Sequence, residues 1–212
     1  RVKTAATQKK LPEAAKSCRA FLEALVFAGK PVEKKSDTIR RGLSAIGASG
    51  PVVWLRDAGM VPRGAEFLDP PFPGKDEILK ETVLSAGIGE RESFLFYCSS
   101  PVDDPGFRIV LPDLVSETGA RVSAERLRLR VQGVPDAKLT VGPYWLLDLP
   151  REGNSCAAPL RADRSQTFWV TCDTAGCAPG TYTGQIAFSR KETAPLRVTL
   201  RVLPVRLPGK EF

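Results

Sequence analysis

Two hydrophobic periods divide the chain. Over residues 10–31, KLPEAAKSCRAFLEALVFAGKP, the apolar positions Leu11, Ala15, Cys18, Leu22 and Leu25 recur every three or four residues, and Lys9, Lys16, Arg19 and Glu23 fall off that stripe. Such spacing predicts an amphipathic helix, which Gly29 and Pro31 end in the expected order. Ser36 is placed to cap a second, shorter helix with Ile39, Leu43 and Ile46 as its apolar positions and Gly47 at its end. The two predict a helical hairpin within 1–49 whose apolar face must pack against something.

From Pro51 onward the period falls to two. PVVWLR (51–56) reads as a strand, and the Pro-rich stretch 66–77 that follows reads as irregular connection. KETVLSAG and RESFLFYCSS are strands separated by Gly87 and Gly89, and GFRIVLPDL follows. In ERLRLRVQGV (125–134) the alternation is strict: Leu127, Leu129 and Val131 face one side, Arg126, Arg128 and Arg130 the other. GPYWLLDLP, QTFWVTCD, YTGQIAFS and PLRVTLRVLPV complete about nine short strands with turn signals between them. No βαβ repeat interrupts them. The pattern predicts a mostly β fold, an antiparallel two-sheet sandwich of immunoglobulin-like type over 50–212, behind an N-terminal α-helical hairpin over 1–49.

One corner of that sandwich is spelled out in GCAPGTYTGQIAF (176–188). Pro179 presets φ for a turn, and Gly180 is free to take a positive φ. Tyr182 then stands at the mouth of a strand, with its ring toward the core and its hydroxyl reaching back to a backbone group. That is the logic of the tyrosine corner.

Composition narrows the chemistry. The chain has 212 residues, and its net charge of +7 lies entirely within residues 1–49, which carry eleven Lys/Arg against four Asp/Glu; the rest carries twenty of each. No aromatic residues interleave with the N-terminal lysines for stacking on bases, so the charge reads as a solvated helix face and not a nucleic-acid site. No apolar run is long enough to span a membrane, and no signal peptide is recognisable. A start at Arg1 reads as a fragment or a processed product. With no histidine, imidazole-based nucleophile systems and His-ligated metals are excluded. Cys18, Cys98, Cys156, Cys172 and Cys177 form no paired CxxC motif, so no metal or other cofactor is expected. Cys172 and Cys177 flank a short loop that a disulfide can close in an exported protein; buried thiols are the alternative.

Four segments, in order, resemble one family. LSAGIGERESFLFYCSS carries a Gly-Glu step before Glu-Ser-Phe and a hydrophobic strand, and LPDLVSETGARVSAERLRLRVQGV has Asp-Leu, a spacer, Gly and a strand. QTFWVTCDTAGCAPGTYTGQIAF has a Trp-Val strand followed by a Pro-Gly-x-Tyr-x-Gly turn, and LRVTLRVLPVRLP closes on Leu-Pro. Together they resemble the N-terminal β-sandwich of the glycoside hydrolase family 123-like group, over about residues 51–208. The resemblance implies a sandwich ahead of a (β/α)8 barrel. It also implies substrate-assisted hydrolysis of N-acetylhexosaminides by an adjacent Asp-Glu pair on that barrel, in a secreted, periplasmic or cell-surface bacterial protein. The barrel is not within these residues, so no catalytic residue carries over. LDLPREGNSCAAPL departs from the family's Asp-Pro-Leu pattern at the corresponding place.

The candidate sites are therefore modest. Glu90 with Glu92, and Asp103 with Asp104 beside Pro105 and Gly106, are the acid pairs, and turn, cap and edge roles suit them. Arg126, Arg128 and Arg130, joined by Arg197 and Arg201 if the strands are neighbours, offer a face for docking carboxylates between domains. Tyr144 and Trp145 are adjacent on a strand, so one points outward and is the candidate for stacking on a sugar; Trp54 and Trp169 read as core. The expected function is a non-catalytic, structural domain flanking a catalytic barrel of the same polypeptide. The alternative is a carbohydrate-binding module with a glycan as its partner. Neither a nucleic acid nor a membrane is expected as a partner.

Overall fold

A computed structural model describes residues 34–56, 71–132 and 146–206. The chain divides into two units, Arg1–Lys34 and Lys35–Phe212, and the second contains all that follows. The first helix of the expected hairpin lies outside the described residues, as do Tyr144 and Trp145.

The second helix, α1, spans Lys35–Ala45. Ile39 and Leu43, one turn apart, are fully buried with Gly42 between them. Its end is a Schellman motif: Ala48 N–H donates to Leu43 O at 2.9 Å and Gly47 N–H to Ser44 O at 3.0 Å, with Gly47 at φ +80°. Gly42 is where the helix meets the chain beyond it, because the Phe72 ring occupies the space a Cβ there would need. The helix starts at Lys35, so Ser36 is inside its first turn and does not cap it.

Thirteen strands follow among the described residues. One sheet runs β1 (Val52–Trp54), β3 (Arg91–Ser99), β11 (Gln166–Asp173), β7 (Leu127–Gln132), β8 (Leu146–Asp148). The other runs β2 (Glu81–Gly87), β13 (Leu196–Leu203), β12 (Gly180–Phe188), β4 (Arg108–Val110), β10 (Ser155–Ala157), β9 (Arg151–Glu152). On its flank β5 (Leu114–Ser116) pairs with β12 and with β6 (Arg121–Val122). The arrangement is the expected sandwich, with one departure: β2 runs parallel to β13, so the second sheet is mixed. Alternation along β7, β11 and β13 turns one face of each sheet inward, while β3 is buried on both faces from Phe96 to Ser99. Phe96, Phe168, Val170, Leu127 and Leu129 come from the first and Leu84, Ile109, Ile186, Val198 and Leu200 from the second, all in one core. Phe96 and Phe168 meet at 5.5 Å between centroids, Phe107 and Phe188 at 6.0 Å.

The tyrosine corner is present. Tyr182 is only 2% exposed, and its hydroxyl donates to Ala178 O at 2.8 Å. The turn itself lies earlier than Pro179: Cys177 N–H donates to Thr174 O at 3.0 Å across Ala175 and Gly176, which takes φ +70°. Farther along β12, Gly184 lets Asp113 O and the Leu114 side chain approach to within 2.8 Å and 2.7 Å of where its Cβ would be.

Trp54 is buried, but on the outer face of the first sheet and not in the main core. It packs on Tyr97 at 4.8 Å, apart from the main cluster. Its Nε1–H donates to Ser99 Oγ at 2.8 Å; Ser99 Oγ meets Ser165 Oγ, which donates to Pro71 O at 2.8 Å. Above the indole, Arg56 lies 5.3 Å from the ring centroid and holds Glu77 with both oxygens, while also donating to Phe72 O at 3.1 Å. This polar chain ties residues 71–77 to the sheet.

Candidate functional site

The alternation of β7 puts Arg128 and Arg130 on the outer face of the first sheet, as expected, with Leu127, Leu129 and Val131 in the core. Arg126 ends the 3-10 turn Ala124–Arg126 just before the strand and lines the groove formed there. Next to β7, β11 supplies the same face with Trp169, Thr171 and Asp173, since Val170 and Cys172 point inward. Register brings Trp169 opposite Arg130 and Thr171 opposite Arg128, and on the other side Asp173 opposite Arg91 of β3. A groove of about 380 Å³ results, lined by Arg91, Glu125, Arg126, Arg128, Arg130, Thr171 and Asp173.

The guanidiniums in it differ in their partners. Arg128 makes a two-pronged pair with Asp148, whose carboxyl is held below the usual aspartate range by that hydrogen bond. Arg91 Nε donates to Asp173 at 3.1 Å; Asp173 also accepts from Ala175 N–H at 2.9 Å, and that backbone bond first, then Arg91, lowers its pKa. Arg126 donates to the carbonyl of Ala175, and Arg130 Nη2 to Thr171 Oγ1 at 2.8 Å, which in turn meets Ser93 Oγ at 2.9 Å. Arg130 Nε is buried with no hydrogen-bond partner. Guanidinium stays protonated at any ordinary pH, so these four side chains can hold an oxyanion.

The remaining candidates separate. Arg197 and Arg201 are on β13 in the other sheet, so they do not extend the β7 stripe. Trp169 is half-buried on the outer face and is not a core residue; its parity with Thr167, Thr171 and Asp173 along β11 is the signal that finds it. Glu90 accepts from Gly87 N–H and closes the turn between β2 and β3, and Glu92 accepts from Ser93 N–H at 3.1 Å. Asp103 accepts from Ala162 N–H at 2.9 Å. Asp104 is buried and accepts from both prongs of Arg190, a partner the sequence did not single out. That bond is the main cause of its lowered pKa. Cys172 and Cys177 are free thiols; burial pushes Cys172 up to about 11.

No family model matches the chain, and no curated protein is similar to it in sequence. Among solved structures it is similar to a family 123 glycoside hydrolase from Clostridium perfringens, described for glycolipid glycan hydrolysis. The TM-score is 0.53 at 16% identity, over 75% of this chain and 28% of that one. Another match, the CupB6 tip adhesin from Pseudomonas aeruginosa, has 8% identity and a TM-score of 0.24 over 61% of this chain and 42% of that one, too low to carry an argument. The likeness to the hydrolase is one of fold, and the chain spans just over a quarter of that enzyme's length.

Proposed function

We propose that this chain is a non-catalytic accessory domain of a larger glycoside hydrolase-like protein, supporting a catalytic barrel on the same polypeptide. The observation that carries the reading is the partial overlay: three quarters of this chain corresponds to little more than a quarter of a family 123 enzyme. The state of the carboxylates also supports it. A glycosidase needs one carboxyl held protonated, with its pKa raised. Among the described residues, the perturbed carboxyls Glu77, Asp104, Asp113, Asp148, Asp163 and Asp173 all move the other way, held low by arginines or backbone N–H groups. The order β1-β3-β11-β7 facing β2-β13-β12-β4, with Tyr182 near the start of β12, supports the immunoglobulin-like description of the sandwich.

Affinity electrophoresis through gels bearing N-acetylglucosamine or N-acetylgalactosamine polymers tests the role. An accessory domain runs as it does in a blank gel. Retardation that Trp145→Ala abolishes would replace this reading with that of a carbohydrate-binding module.

A further inference from the structure

We infer that the groove beside β7 is a binding site for the carboxylate of a small acidic molecule, a role that does not depend on the accessory reading. Its volume of about 380 Å³ is near the lower end of the roughly 300–1,000 Å³ usual for ligand pockets, which suits a monosaccharide-sized ligand. Four guanidiniums line it, from Arg91, Arg126, Arg128 and Arg130, against the carboxylates of Glu125 and Asp173. Asp148, bonded to Arg128 at the rim, brings the acids to three and leaves one positive charge unbalanced. A monoanion matches that single surplus charge, which a doubly charged phosphate would exceed.

Arg91 and Arg128 hydrogen-bond to carboxylates, whereas Arg126 and Arg130 hydrogen-bond only to a neutral carbonyl and a neutral hydroxyl and feel Asp173 and Asp148 without a direct bond. Arg130 Nε–H is buried and unpartnered, a condition that folded proteins seldom tolerate without an acceptor from elsewhere. A planar carboxylate presents two acceptor oxygens at the spacing of a guanidinium edge, the match that favours arginine for this group. Thr171 Oγ1, held between Arg130 and Ser93, adds a hydroxyl on the same face. The shared chemistry is the carboxylate, and its source is either a sugar acid or a simple organic acid.

Ligand-detected NMR on the 212-residue chain, with sodium D-glucuronate, sodium acetate and D-glucose as ligands, tests the assignment. Binding of one or both carboxylates is expected with a dissociation constant on the order of millimolar, weakening as salt is added, with none for glucose. Glucuronate binding well ahead of acetate marks a sugar acid as the source; equal binding marks a simple acid. Arg130→Lys keeps the charge but removes the fork and should weaken binding about tenfold. Arg126→Ala, at a more exposed position, is the second variant and should also weaken it. No binding of either carboxylate up to about 50 mM, or unchanged affinity in both folded variants, overturns the proposal.

Discussion

Removing the Tyr182 hydroxyl separates the two roles of that residue. The ring is 2% exposed within the main core, and the hydroxyl makes one 2.8 Å bond to Ala178 O at an exposed position. Tyr182→Phe keeps the packing and frees a carbonyl that water can reach, so the cost is that of one net hydrogen bond, about 1 kcal/mol. Tyr182→Ala also deletes the ring and leaves a cavity, costing about 3–5 kcal/mol. Urea unfolding, followed by tryptophan fluorescence, to which buried Trp54 contributes, reads both. With a slope of about 2 kcal/mol/M, the midpoint should fall by about 0.5 M for Phe and by about 1.5–2.5 M for Ala, with the slope unchanged. The pH dependence has a definite sign. Burial raises the phenol's pKa in the folded state, so its contribution is fully present below the unfolded value of about 10 and is lost as pH rises through the folded one. The gap between wild type and Tyr182→Phe should therefore narrow above about pH 10. A Phe variant as stable as wild type would refute the corner bond, and an Ala variant costing no more than Phe would refute the ring's place in the core.

Three further outcomes follow from packing and charge. Gly42→Ala improves helix propensity by up to about 1 kcal/mol but sets a methyl against the Phe72 ring; a net loss of about 1–2 kcal/mol is expected. In a Phe72→Ala background the same change should be neutral or stabilising, and a double-mutant cycle by thermal unfolding reads the coupling. Asp104 has a lowered pKa through Arg190, so its contribution holds above the unfolded aspartate value and is lost as pH falls through the folded one. Asp104→Asn should lower Tm at pH 7, with the difference shrinking in acid; a gap independent of pH would contradict the pairing. Cys98 and Cys172 are buried with raised pKa values, so at pH 8 a thiol reagent followed by mass spectrometry should label them only after urea is added.

How far the residues foretold this structure depends on the range of the interaction. The strict alternation of β7 specified both its faces, and β11 and β13 have readable period-two runs, whereas β3 carries the continuous apolar run FLFYC. Strands of two or three residues, such as β6, β9 and β10, have too few positions to show a period. The parallel pairing of β2 with β13 was invisible because alternation says which face is buried and not which neighbour lies alongside. The same limit applies to the groove. Arg126, Arg128 and Arg130 were legible as a stripe, but Arg91, Thr171 and Asp173 join them only through the register of β3 and β11. The size of Trp169 suggests the core, whereas its parity with Thr167, Thr171 and Asp173 puts it on the outer face. The bond between Arg190 and Asp104 spans 86 residues and is purely tertiary.

The central proposal is that this chain is itself non-catalytic. Incubating the purified chain with an aryl β-N-acetylhexosaminide and following aryl release tests it most directly. The account predicts release no faster than in buffer alone. Turnover proportional to the amount of chain added, and abolished by Glu90→Gln or Glu92→Gln, would contradict it.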